Sequence, residues 1–385
     1  MSATGYLASA TPLRLALSGA TVAIPILAIE ELADVALGGI LVAASLGPAV
    51  IAAPVVGAML DRTRRPRALI AGAGAIAAVG LGIGALLGIL PTPLVALGLI
   101  AAGAAGPFFM GGLSSFVTDE IPNERRAYAL DALSYNLGAV AGPAIVATAV
   151  ALGSARQAMA AMAVTALVGV IATFATRLRP RPVPTGSMWR TMGDGLRHIA
   201  LHRPLMIVTG SGTLSQFGGG ALSIAAVLLS LERAGGPGGG ALIVSAFAIG
   251  GLIGALATAA RPGRLRPELS MGVGFAVIGL LTVVAAIDWG LVWTVLVIGA
   301  AGLFTASSSA AMLLLRKQQS PPRLRGQVFT VGAGLRATAA AAGAAVAGIA
   351  AGLGGTALVV AIGLTWIVSG LLLAWYPRNA ESFDA

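Results

Sequence analysis

Cysteine is absent from the chain, which removes disulfides, thiolate metal sites and cysteine nucleophiles from consideration. Histidine is nearly absent too. His198 and His202 fall in one polar segment, so no histidine-rich metal centre is expected. No nucleophile and base pairing, ligand cluster or phosphate-binding loop stands out, which argues against an enzyme. Charge is scarce at 10% of residues against 57% hydrophobic, with a mean hydropathy of +0.93. A soluble domain does not look like that. Acids are the rarer sign, 14 against 24 Lys and Arg, for a formal charge of +10. Nucleic acid would need a basic face on a soluble module, and none is visible.

What the chain has is long apolar stretches, with 54 glycines among 385 residues. Glycine lets membrane helices approach closely. A helix needs about 20 apolar residues to cross a bilayer, and twelve such stretches are expected near 13–31, 35–60, 68–90, 93–116, 127–153, 156–177, 204–231, 238–260, 269–287, 290–315, 327–353 and 356–376. The first runs too long for a cleavable signal and is followed at once by another span. The expected fold is therefore an all-α membrane protein.

Twelve spans place alternate loops on one side, and 21 of the 24 Lys and Arg then share a side, with Arg14 counted among them. Arg156 and Arg233 fall opposite, and Arg336 lies inside a span. Loops rich in Lys and Arg stay cytoplasmic. Both termini are thus expected in the cytoplasm, in a multi-pass protein of the inner membrane. Glu30, Glu31 and Asp34, on the other side, read as solvated loop residues.

The chain divides near its middle. Residues 1–178 and 204–385 each hold six spans, and 179–203 forms a central cytoplasmic loop. That loop opens with "RLRPRPVP", which favours an extended linker. Trp189, Met192, Leu196 and Ile199 then recur at helical spacing, as in an amphipathic helix on the inner membrane surface. The stretch "IPNERRAYALDALSYNLGAVAGP" has a counterpart about 200 residues later in "SPPRLRGQVFTVGAGLRATAAAAG". Two parallel six-helix repeats imply a site at the interface between halves, near the bilayer midplane.

Between spans two and three stands "GAMLDRTRRPRAL". With the six plus six arrangement, it resembles the loop signature of the major facilitator superfamily, matched at Gly57, Asp61, Arg62 and Arg65; Arg64 stands where a glycine is usual. Span five adds "GAVAGP", with Gly138, Gly142 and Pro143, similar to the signature of that family's proton-coupled antiporters; the glycine pair usual beyond the proline is absent. The resemblance implies alternating access and a cytoplasmic latch formed by Asp61, Arg65 and Asp119. Asp61 and Arg65 are spaced to pair directly where one helix continues through both. The alternative is that the loop arginines only set orientation.

Within the spans, polar residues are few. Arg336 lies 11 residues past Arg325, about 16 Å along a helix. An arginine there costs about 2.5–3.5 kcal/mol on insertion scales, so it should face a cavity or a partner. Asp131 is the one acid within a span, and is either a proton carrier or part of a packing face with Tyr135, Gly138 and Gly142. Asn136 aligns with Arg336 in the repeat, and it and Tyr135 are candidates to line the cavity. Gln216 sits near mid-membrane before three glycines, where a bent or broken helix is expected. Phe108 and Ser308 are weaker cavity candidates. The expected function is transport of a small organic solute, most simply proton-coupled export by a monomer, with no cofactor and the proton gradient as energy source. An uptake permease or uniporter, and from another class a lipid scramblase, are the alternatives.

Overall fold

A computed structural model describes residues 3–117, 121, 124–176, 178, 188–260, 266–321 and 324–377. Among them, twelve helical stretches are long and apolar enough to cross a membrane. Span one is α1 (Ala3–Leu32). Span two is broken at Gly47 into α2 (Val35–Leu46) and α3 (Pro48–Arg62), and span three is α4 (Pro66–Gly84). Span four is α5 (Thr92–Pro107), ending in a π-helical turn at Phe108–Gly112. Spans five and six are α6 (Glu124–Leu152) and α7 (Ala155–Thr173). A surface helix, α8 (Met188–Leu201), leads to the second set: α9 (Arg203–Ala234), α10 (Gly239–Ala260), α11 (Pro267–Val284), α12 (Gly290–Gly302), α13 (Thr305–Gln318), α14 (Arg325–Ile349) and α15 (Gly355–Leu372). Span ten is thus α12 and α13, broken at Leu303 and Phe304.

The two sets pack alike. α1 lies against α6 and α7, and α9 lies against α14 and α15; α4 packs on α7, as α11 does on α15. The same acid recurs at matched places. Glu30, near the end of α1, accepts the Ala155 N–H at 2.8 Å, and Glu232, near the end of α9, accepts the Gly355 N–H at 2.5 Å and the Thr356 N–H at 3.2 Å. Each carboxylate caps the unsatisfied N–H groups at the positive start of a neighbouring helix. The acids near this end are therefore not simply solvated. Glu31 pairs with Arg156 at 2.6 Å, and Asp34 caps α2 through the Leu37 N–H.

Chain reversal puts the loops at 32–35, 84–92, 152–155, 234–239, 284–290 and 353–355 at one end, and the basic loops at the other. The two arginines at the first end are both neutralised, Arg156 by Glu31 and Arg233 by Asp288 at 3.4 Å. Helices on the outward faces expose Ile76 and Val79 of α4 and Ile253 and Leu256 of α10. Such side chains suit contact with lipid, where helix association gains nothing from burying them.

Between the halves, α2 packs on α14 and α6 on α10, pairs that exchange under the repeat. Their closest approaches lie at the end away from the basic loops. A Cβ on Gly348 would stand 2.7 Å from the Gly39 Cα, and one on Gly238 would stand 3.1 Å from Val150. Glycine is required at Gly39 and Gly348 because two backbones touch there. Toward the basic end, Ile51, Val55 and Met59 of α3 are exposed. A wedge at the closed end should open it. We expect Gly39→Val to raise thiol labelling of a single cysteine placed at buried Ala344, in a chain with no competing cysteine. Labelling equal to the parent would show that this seam does not hold the halves together.

Candidate functional site

The first half carries a buried ion pair that span counting misplaced. Arg14 belongs to the interior of α1, 1% exposed, and is not a residue of the basic side. The helix starts at Ala3, so Arg14 is about 16 Å along it. Its charge is tolerated because every donor group of the guanidinium finds an acceptor. Nη1 bonds Asp131 Oδ1 at 2.8 Å and Ser134 Oγ; Nη2 bonds Ser114 Oγ at 2.8 Å and the Met110 carbonyl at 3.1 Å; Nε bonds the Phe109 carbonyl at 3.3 Å. Those two carbonyls belong to the π-turn at Phe108–Gly112. Asp131 also accepts from Tyr6 Oη at 2.5 Å and Ser114 Oγ at 3.0 Å. Arg14 lies 3.7 Å from the centre of the Tyr135 ring, a cation–π contact. One knot therefore ties spans one, four and five.

Gly138 and Gly142 make this knot possible. A Cβ on Gly138 would come 3.1 Å from the Leu15 nitrogen, and one on Gly142 would come 2.7 Å from the Gly19 nitrogen. The face shared by Asp131 and the glycines is thus a packing face that also holds the acid against Arg14. Pro143 lies within α6, which continues through it. Phe108 opens the π-turn and packs half-buried against the core. Asn136 donates from Nδ2 to the Ala132 carbonyl of its own helix at 3.0 Å.

The second half holds a cavity of about 160 Å³. Gln216, Ser309, Arg336, Phe247, Phe275 and Trp366 line it, with Thr305 at the start of α13. Trp366 is held by donating Nε1 to the Ser215 carbonyl at 2.7 Å and stacks on Phe247 with ring centres 5.8 Å apart. The volume is near that which holds one benzene-sized molecule. Arg336 and Gln216 therefore share a cavity, and Asn136, Tyr135 and Phe108 are not among its lining residues. Ser308 is fully buried against Gly274 and bonds its own helix at the Phe304 carbonyl, so Ser309, one position on, takes the cavity-facing place.

The glycines after Gln216 do not break the helix. α9 runs unbroken through Arg203–Ala234. Gly220 abuts the Ala340 carbonyl, Gly218 faces Ile362 and Trp366, and Gly219 faces the cavity. They allow α14 and α15 to approach from two sides, which offsets their low helix propensity.

The predicted latch is split across a turn. Helix α3 ends at Arg62, Thr63 is extended, and α4 begins at Pro66, so no single helix carries Asp61 and Arg65. Arg65 is exposed, its backbone N–H donating to Thr63 Oγ1 at 3.1 Å, and Gly57 is exposed on α3. The Asp61 side chain and Asp119 lie outside the described residues.

A family model described as the Major Facilitator Superfamily matches residues 7–344. No curated protein matches the chain. Among solved structures, a POT family transporter in complex with a thioalcohol-conjugated peptide superposes with a TM-score of 0.79 at 12% identity, covering 97% of this chain and 95% of that one. The nucleoside transporter NupG, as a mutant, gives 0.78 at 14% identity, covering 98% and 100%. A POT peptide transporter mutant in complex with sulfate gives 0.73 at 18%, covering 97% and 93%. Identities this low carry the fold alone. With the family match across most of its length and twelve helical stretches long and apolar enough to cross a membrane among the described residues, the chain belongs to the Major Facilitator Superfamily and is a multi-pass secondary transporter.

Proposed function

We propose that this protein exports a small organic solute across the cytoplasmic membrane by alternating access, in exchange for protons, as a monomer with both termini in the cytoplasm. The observation that carries the reading is the placement of a polar centre in each half, Arg14 with Asp131 in one and the Arg336 cavity in the other, between bundles that meet most closely at one end. The excess of Lys and Arg in the loops of the opposite end makes that end cytoplasmic. The conformation is then closed outward, with its free face toward the cytoplasm, where a solute to be exported would enter.

Asp131 is the proton carrier in this scheme. Ionised, it holds Arg14, Tyr6 and Ser114 in one knot; protonated, it loses its attraction for Arg14 and weakens the tie between spans one, four and five. Such a tie is a two-state element that a proton can bias. The "GAVAGP" resemblance favours exchange over symport.

Everted membrane vesicles with an imposed proton gradient test the direction. Solute should accumulate in the vesicles as protons leave them; accumulation in the same direction as the proton flux would instead establish uptake on the same fold. Epitope tags at Arg64 and Arg325 should both map to the cytoplasm, and opposite surfaces would overturn the topology.

A further inference from the structure

The three deeply placed arginines are not treated alike by their surroundings. Arg14 has a carboxylate and a full set of acceptors. Arg316, near the end of α13, is just as buried at 1% exposure, yet its Nε and Nη2 have no hydrogen-bond partner. Arg336 Nε is likewise buried and unpartnered. Among the described residues no carboxylate pairs with either one.

The two also stand together. The Arg316 guanidinium lies against Gly332, one helical turn before Arg336, where a Cβ would come 2.8 Å from Nη1 and 2.9 Å from Cζ. Gly212 of α9 leaves it room on the other side, with Nη2 3.6 Å from a Cβ placed there. Along α13, Thr305, Ser309, Met312 and Arg316 recur at spacings of 4, 3 and 4, so Arg316 continues the cavity-lining face by one turn. Two neighbouring cations with unfilled donors, set in a low dielectric, repel each other. An anion with at least two acceptor oxygens answers both deficits, since guanidinium forks match carboxylate and phosphate geometry.

We propose that Arg316 and Arg336 form a paired-guanidinium site for the acid group of the transported solute. This rests on the cavity being the transport site, and it narrows the substrate to small organic anions. The body of the solute lies between the aromatic faces of Phe247, Phe275 and Trp366, with Gln216 and Ser309 as further polar contacts. A benzene ring bearing one carboxylate suits the volume.

The test compares benzoate with its neutral isostere benzamide on the purified full chain in nanodiscs, by thermal shift and by titration calorimetry. Benzoate is expected to stabilise the protein and benzamide to do so at least about tenfold more weakly, as befits the loss of charge-assisted hydrogen bonds. Equal responses to the two would overturn the proposal. Arg316→Met and Arg336→Met are each expected to lose benzoate binding. The same Arg316→Met variant should melt at a higher temperature than the parent without ligand, because an unpartnered buried charge has been removed. A lower melting temperature with benzoate binding retained would mark Arg316 as a structural residue and end the proposal. Gly332→Ala displaces the Arg316 guanidinium without removing its charge, and is expected to weaken benzoate binding while leaving the fold intact; unaltered affinity would contradict the site. Inorganic sulfate alone distinguishes a bare anion site: sulfate matching benzoate in affinity would remove the aromatic pocket from the recognition. Benzoate binding with no movement of labelled benzoate in proteoliposomes would keep the anion site and refute the transport reading on which it rests.

Discussion

Arg14→Ala is expected to remove most folded protein from the membrane. The substitution leaves Asp131 without its counter-charge and removes one donor each from the π-turn carbonyls of Phe109 and Met110. Breaking a buried pair by deleting one partner costs about 3–5 kcal/mol. Total stability in proteins is only about 5–15 kcal/mol. Size-exclusion of the detergent-solubilised variant should show a large loss of the monodisperse peak. Arg14→Lys should recover part of it, because an ammonium supplies the charge but only three donors for acceptors on spans four and five. A monodisperse Ala variant at parental yield would show that the knot contributes little. The contrast with Arg316→Met is the sharper point: two arginines of equal burial, one expected to destabilise when lost and the other to stabilise.

Asp131→Asn is expected to spare the fold and abolish the response to a proton gradient. The amide keeps the size of the carboxyl and can still accept hydrogen bonds in the knot, so the tie to Arg14 is weakened by the lost charge while its acceptor is kept. What it cannot do is change charge. With a single cysteine at Ala344, an imposed proton gradient should change the labelling of the parent, and the Asn variant should label alike with and without it. The groups facing Asp131 are Arg14, Tyr6, Ser114 and Ser134. A variant that keeps the parental response to the gradient would remove Asp131 from the coupling.

Much of the fold was legible because its cause is one-dimensional. Long apolar runs between basic loops report bilayer thickness and orientation directly, and the spans fall where hydropathy places them. The first span is the instructive exception. Reading Arg14 as a boundary starts that helix about ten residues late, because a charge looks like an interface until its partner is known, and the partner lies 117 positions away. The repeat held a usable signal. Glu30 and Glu232 cap equivalent helices 202 positions apart, and the same offset carries Arg14 onto Gln216, a residue already singled out at mid-span.

The site was less legible because helix faces decide it, and these depend on packing. Ser308 and Ser309 differ by one position, yet one is packed against Gly274 and the other lines the cavity. Gly218 to Gly220 read as a break in isolation and act as close-contact points once α14 and α15 are in place. Arg316 looked like one more basic loop residue. Only its burial against Gly332 and Gly212 separates it from Lys317 beside it, which is exposed.

The central claim is that the two bundles rock about a shared site, opening one end as the other closes. Spin labels test it most directly, one pair at Leu152 and Leu353 on the loops of the closed end and another at Arg64 and Leu201 on the basic end. As pH is lowered or a bound anion is added, the two distance distributions should shift in opposite senses, one lengthening while the other shortens. Distances that stay fixed, or that lengthen together, would contradict alternating access in this protein.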